Sequence, residues 1–273
     1  MSAKKGARAP VGRLVGVIHL PPLPGAPRFR GDFSRVLRQV EADARALASA
    51  GFDLAMVENF GDTPFYAGAV PAVTVSAMTA CAMAARAAAP ALPLGINVLR
   101  NDVASALAIA AVVDAACVRV NVLVGARVTD QGVVEGRAAE ALRLRAALGA
   151  SKIAVWADVD VKHAAPLAPR DVGEEAVEAH ERAMADVILV TGAATGARVN
   201  LDKLAAVRRA LPRCPVLVAS GAVSGDLPAL AEHADGVIVG SALRRGGIAG
   251  GPIDLARAKS FAKAFRAAWP RAR

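Results

Sequence analysis

Short apolar runs recur along the chain, and they tend to end on a residue able to do chemistry. The run 14–18 ends in His19, 54–57 in Glu58-Asn59, 94–96 in Asn97 and 117–120 in Asn121. Run 153–157 ends in Asp158, 187–190 in Thr191-Gly192, 216–219 in Ser220-Gly221 and 237–239 in Gly240-Ser241. These runs are continuous rather than alternating, as expected of parallel strands buried on both faces. Ala-rich helical stretches separate most of them. Eight such units predict an α/β chain folded as a single (β/α)8 TIM barrel over residues 14–273. That fold gathers all eight strand ends on one face, where its chemistry sits.

Strands are predicted at 14–19, 53–58, 93–98, 116–122, 152–158, 186–191, 215–220 and 235–240. Asp32 or Ser34 caps a first helix that runs to about residue 50, with Gly51 just past its end. A second helix starts near 71–74 and stops by Pro90, and Asn101-Asp102 cap a third at 103–113. Further helices end at Gly149, span 173–185 and 201–211, and run from beyond Pro252 to 268. Residues 21–31, 59–70 and 123–136 read as long loops on one side of the barrel, able to act as lids. In them Phe60, Phe65 and Tyr66 either close over a ligand or plug the gaps between loops.

Composition narrows the picture. The 273 residues match a single barrel of ~250. With 55% hydrophobic but only 4% aromatic residues, the core must be built of Ala, Val, Leu and Ile. Cys81, Cys117 and Cys214 are too few and too scattered for a disulfide framework, which predicts inert thiols in a reducing cytoplasm. The net charge of +9 is spread over helix-face arginines such as Arg143, Arg145, Arg208 and Arg209 without a basic block, so nucleic acid is not the expected partner. Residues 1–13, with Lys4, Lys5, Arg8 and Arg13, predict a flexible basic tail. No apolar stretch is long enough for a transmembrane segment, which leaves peripheral membrane contact as the available kind. An Ala-rich outer helix layer permits a homo-oligomer.

The candidate chemistry lies at the strand ends. Ser220-Gly221 and Gly240-Ser241 follow the last two strands, whose loops form the recurrent phosphate site of such barrels. Ordinary tight turns would read the same. Thr191-Gly192 and Thr195-Gly196 can add donors. The acid–base candidates are His19, Glu58, Asp158, Asp160, Lys162 and His163. If 158–162 stays extended, Asp158, Asp160 and Lys162 share one face. That arrangement serves proton transfer, a divalent cation as cofactor, a Schiff base at Lys162, or a structural ion-pair network. Asn97, Arg100, Asn101, Arg119 and Asn121 form a second polar group, able to orient a hydroxylated substrate. Arg119 is expected to point into the barrel and to pair with Glu58, Asp158 or substrate, because a lone buried charge is costly.

Several segments together resemble the BtpA family. They are residues 17–25 (through His19-Leu20-Pro21-Pro22), 57–65 (through Glu58-Asn59-Phe60-Gly61-Asp62) and 94–102 (ending Leu99-Arg100-Asn101-Asp102). The others are 119–122 with Thr129-Asp130-Gln131-Gly132, and 157–164 through Asp158, Asp160, Lys162 and His163. Trp156, Asp160 and the Ala193-Ala194 turn depart from the pattern. The resemblance covers about residues 14–260. It implies a barrel of the ribulose-phosphate-binding type and a role in the biogenesis or stability of photosystem I, although relatives also occur in organisms without photosynthesis. Two functions follow as expectations. One is an isomerase, epimerase or aldolase-type lyase acting on a phosphorylated small molecule, a sugar or nucleoside phosphate. The other is a non-enzymatic peripheral factor for membrane complexes.

Overall fold

The structure, a computed structural model, describes residues 13–161, 164–192 and 199–269. Residues 1–12 of the basic tail, Lys162, His163 and the Thr195-Gly196 turn lie outside the described residues, while the Arg13 amide at the end of the tail donates to Asp53 (3.2 Å).

Eight parallel strands close into a barrel. They are β1 (Leu14–His19), β2 (Leu54–Glu58), β3 (Leu94–Asn97), β4 (Cys117–Val120), β7 (Ala154–Val159), β9 (Val187–Val190), β10 (Val216–Val218) and β11 (Gly236–Val239). Each pairs with the next in chain order, and β11 returns to β1. The helices are α1 (Phe33–Ser49), α2 (Ala72–Ala88), α3 (Val103–Val112), α4 (Ala138–Ala147), α5 (Val172–Val177), α6 (Leu201–Ala210), α7 (Leu227–Ala231) and α8 (Leu255–Ala268). Among the described residues no helix is long and apolar enough to cross a membrane.

Side chains alternate along every barrel strand. Val15, Val17, Leu54, Met56, Cys117 and Trp156 belong to a core inside the barrel. Leu14, Ile18, Ala55, Val57, Val118 and Val155 belong to the larger core between strands and helices. This two-residue period turns His19, Glu58, Asn97, Arg119 and Asp158 inward as each strand ends.

The opposite rim carries three copies of one clamp. Asp53 accepts from the Leu14 amide (2.8 Å) and from Arg266 of α8 (2.7 Å). Asp186 accepts from the Val155 amide (2.8 Å) and Arg145 of α4 (3.0 Å). Asp235 accepts from the Val216 amide (2.8 Å) and Arg208 of α6 (2.6 Å). In each, a carboxylate just before one strand holds an amide at the start of its neighbour and an arginine from the helix layer. Arg145 and Arg208, read from sequence as solvated helix-face residues, are thus structural. The ties outweigh the burial of Asp53 and hold its pKa below the usual carboxylate value.

Three elements differ from the sequence expectations. Residues 123–136, expected to be a loop, carry a hairpin of β5 (Ala126–Thr129) and β6 (Gly132–Glu135), and β8 (Ala164–Pro166) adds to its other edge. The hairpin turns through Asp130-Gln131, and a buried ion pair between Arg127 and Glu175 anchors it to α5. The helix expected at 173–185 gives way after α5 to a π-helical turn (Glu178–Arg182). After β11 the chain makes two short 3₁₀ turns, Ser241–Leu243 and Arg245–Gly247, before α8.

Candidate active site at the barrel mouth

One row of register crosses the barrel wall. His19 lies beside Glu58, Glu58 beside Asn97, Asn97 beside Arg119 and Arg119 beside Trp156. All five are buried. Strand identity therefore brings an imidazole, a carboxylate, an amide and a guanidinium to one level.

Arg119 is the hub. Its Nε donates to both oxygens of Asp158 (3.2 and 3.1 Å). Its Nη2 lies 3.1 Å from Asp158 Oδ2, but without the alignment of a hydrogen bond, and so contributes charge. Its Nη1 is 3.8 Å from Glu58 Oε2. Burial alone would lower the Arg119 pKa; Asp158 and Glu58 outweigh it and raise the pKa instead. Asn121 Nδ2 donates to Asp158 Oδ2, and Asn97 Nδ2 donates to the Arg119 carbonyl (3.2 Å) and to Asn121 Oδ1 (3.4 Å). Asp158 is thus held by two donors, Arg119 Nε and Asn121 Nδ2, in three hydrogen bonds, whereas Glu58 meets its neighbours at longer range.

His19 is fixed from both sides. The Gly250 amide donates to its Nδ1 (3.2 Å), which makes Nδ1 the acceptor and leaves the proton of the neutral ring on Nε2. Nε2 lies 3.7 Å from Glu58 Oε1, and Phe60 stacks on the ring with centroids 4.3 Å apart. Phe60 is therefore a plug rather than a lid. The ring leaves no room for a side chain at position 240, where a Cβ would come within 2.9 Å of it.

Sequence reasoning missed what holds this loop. Arg244 is buried and donates to the carbonyls of Gly251 (2.6 Å), Gly240 (2.6 Å) and Val17 (2.9 Å). It stitches the loop after β11 to β1 and so positions Gly250 over His19. Asp43 of α1 accepts from the Ile253 amide (2.8 Å) in the same loop, and burial raises its pKa to about 6 against that bond and the attraction of Arg244. Arg100, also buried, feels Asp158, Asp130 and Glu58 from the loop after β3, although burial dominates and lowers its pKa. Only the proximity of Arg100 to Asn97 in sequence signalled it.

The remaining candidates divide. Ser220 and Gly221 follow β10, Gly240 and Ser241 follow β11, and Gly221 takes a left-handed φ of 72°. Ser241 opens a 3₁₀ turn, whose first amides have no intrahelical acceptor. Thr191 is buried beside Gly192, and its hydroxyl donates to the Asp160 carbonyl (2.9 Å). Asp160 does not share the face of Asp158. The strand stops at Val159, Asp160 turns to a φ of 51°, and its carboxylate pairs with Lys203 at the rim. Among the described residues no group of three or more His, Cys, Asp or Glu is arranged to hold a metal ion.

The profile of the BtpA family matches residues 11–267. The Photosystem I biogenesis protein BtpA of Synechocystis is 44% identical over 252 residues, covering 92% of this chain and 87% of its own. An uncharacterized protein of Thermococcus kodakarensis is 45% identical over 250 residues, covering 91% and 93%. An uncharacterized mitochondrial protein of Caenorhabditis elegans is 32% identical over 253 residues, covering 91% of each. Among solved structures, the geranylgeranylglyceryl phosphate synthase of Thermoplasma acidophilum, in complex with its substrate sn-glycerol-1-phosphate, superposes with a TM-score of 0.54 at 17% identity over 94% of this chain and 93% of its own. The orotidine 5'-phosphate decarboxylase of Pyrococcus horikoshii gives 0.54 at 12% identity over 93% and 99%. At these identities the likeness is one of fold.

Two predictions follow from the geometry. Arg119→Met leaves Asp158 and Glu58 buried without their shared cation, and should cost about 3–5 kcal/mol in urea unfolding. A loss below about 1 kcal/mol would show that the carboxylates do not depend on it. Asp43 has a raised pKa in the folded state, so its protonated form supports the fold below about pH 4, and that support is lost as pH rises through about 6. Asp43→Asn should flatten the change in unfolding free energy between pH 4 and 7 by on the order of 2–3 kcal/mol. Equal slopes in the two proteins would contradict the assignment.

Proposed function

The chain belongs to the BtpA family, and from that premise we propose that it is an enzyme acting on a small phosphorylated metabolite by proton transfer at the barrel mouth. The observation that carries this reading is the unequal treatment of two buried carboxylates. Asp158 is pinned by Arg119 and Asn121, while Glu58 lies 3.7 Å from the His19 Nε2 and 3.8 Å from Arg119 without a directed bond to either. A pinned carboxylate orients; one left in reach of a proton carrier exchanges protons.

In this reading Glu58 removes a proton from the carbon beside a substrate carbonyl. The His19 Nε2–H donates to the developing enolate oxygen, and the proton then returns to one of the two carbons. Isomerisation and epimerisation share that step, and an aldol-type cleavage uses the same enolate. Asn97, Arg119, Asn121 and Asp158 orient the substrate's hydroxyl groups. Ser220, Gly221, Gly240 and Ser241 hold the phosphate, with Thr191 and Gly192 beside them. Two structural neighbours, a glyceryl phosphate synthase and an orotidine 5'-phosphate decarboxylase, carry phosphate esters in their names, which supports the substrate class.

The name of the Synechocystis relative favours a second reading, a peripheral factor for the assembly or stability of membrane complexes such as photosystem I. The net charge of +9 suits an anionic membrane surface. A buried, internally paired ring of His, Glu, Arg and Asp has no use in that role.

Thermal shift separates the two. Phosphorylated metabolites should raise the melting temperature, and Ser241→Asp should abolish the shift by placing a carboxylate where the phosphate binds. Glu58→Gln should keep the shift and lose at least about a hundredfold in turnover of the metabolite so found. Melting that no phosphorylated compound changes, together with salt-sensitive binding to anionic vesicles, would sink the enzyme reading.

A further inference from the structure

A cavity of about 330 Å³ lies beside the polar ring, at the outer ends of β2 and β3. Its inner wall is Asn59, which directly follows Glu58, and Leu99, two residues beyond Asn97. Pro27, Pro64, Phe65, Tyr66 and Val70 supply apolar faces. The Tyr66 side chain is 56% exposed, unusual for a large aromatic in this chain. The volume is at the lower end of the range for small-molecule sites.

Two features give the cavity a polar edge. The 17-residue helix α2 starts there, with Pro71 as its N-cap, no side-chain cap and no acidic residue in its first turn. Its first amides therefore lack a side-chain acceptor. Thr74, in that same turn, lines the cavity although only 7% of the residue is exposed, which makes its hydroxyl available to a group bound there.

Asp62 decides what kind of group enters. Its carboxylate lines the cavity and accepts from the Leu23 amide (2.9 Å) and Asn59 Nδ2 (3.2 Å). A negative charge in the wall repels phosphate, even though a helix starts there. A free sugar would leave the proline and aromatic faces wet. An isoprenoid chain would offer Thr74 and the α2 amides no acceptor. A flat, uncharged ring with acceptors on its edge satisfies both walls, and the exposed face of Tyr66 offers it a stacking surface.

We propose that this cavity holds the heteroaromatic base of a nucleoside phosphate, with the phosphate at the β10 and β11 turns and the sugar lying across Glu58 and His19. The proposal rests on the reading of the mouth as a phosphate-ester site. The barrel order supports the layout, because β3, β2, β1, β11 and β10 are consecutive neighbours. Base cavity, acid–base pair and glycine turns thus follow one another around the rim.

Isothermal titration of the full chain with ribose 5-phosphate, nucleosides and nucleoside 5'-monophosphates tests it. At least one monophosphate should bind about tenfold or more tightly than ribose 5-phosphate. Thr74→Val and Tyr66→Ala should each weaken that monophosphate about fivefold or more while leaving ribose 5-phosphate unchanged. Circular dichroism checks that both variants are folded. Ribose 5-phosphate binding as tightly as every monophosphate overturns the base site and leaves the phosphate reading standing. Nucleosides binding as tightly as their monophosphates, with the same sensitivity to Thr74→Val, uphold the base site and overturn the phosphate reading. Absence of binding by every nucleoside and monophosphate overturns the proposal.

Discussion

Arg119 places a guanidinium inside the barrel, where water cannot solvate it, and the mouth is organised around that cost. Asp158 answers it with both oxygens and Glu58 with one at longer range. The Arg119 carbonyl and the Asn121 amide then fix Asn97. Because Glu58, Asn97 and Arg119 sit on adjacent strands at one register, with Asn121 and Asp158 two residues further along theirs, the barrel's hydrogen bonds set their separations before any ligand arrives. Such preorganisation lets fixed charges act on a reacting group without having to rearrange.

The second dependence is closure between the chain's two ends. Arg244 reaches from the loop after the last strand to a carbonyl of the first, and Gly250 in that loop hydrogen-bonds His19. The imidazole is thereby given one tautomer and one orientation. The opposite rim spends its charges differently, with Asp53, Asp186 and Asp235 each tying a strand to a helix arginine. The barrel keeps these strand-to-helix clamps at one face and its inward-turned charges at the other.

The apolar runs revealed the eight strands because strands buried on both faces must be apolar throughout, and the polar residues that end them are the ones gathered at the mouth. Arg119 was legible for a related reason: a charge in a buried strand can be tolerated only where partners await it. Other features depend on long-range geometry. The hairpin of β5 and β6 had a local signal, valines on either side of Asp130-Gln131, but its third strand arrives from Ala164–Pro166, far along the chain. Asp160 looked equivalent to Asp158 at a spacing of two, and a single residue at positive φ moved it to Lys203. Arg244 resembled any surface arginine until the carbonyls it joins were brought together by barrel closure. The polar edge of the cavity beside Tyr66 likewise depends on the start of α2 meeting the loop after β1.

The most direct test of the mouth as a working site is the location of a bound phosphate mimic. Crystals of the protein soaked in tungstate, read by the anomalous signal of tungsten, should show the ion at the amides of Gly221 and Ser241, with Glu58 and His19 on the side facing the barrel axis. An ordered ion elsewhere on the barrel, or none at the mouth while the protein remains folded, would contradict the account.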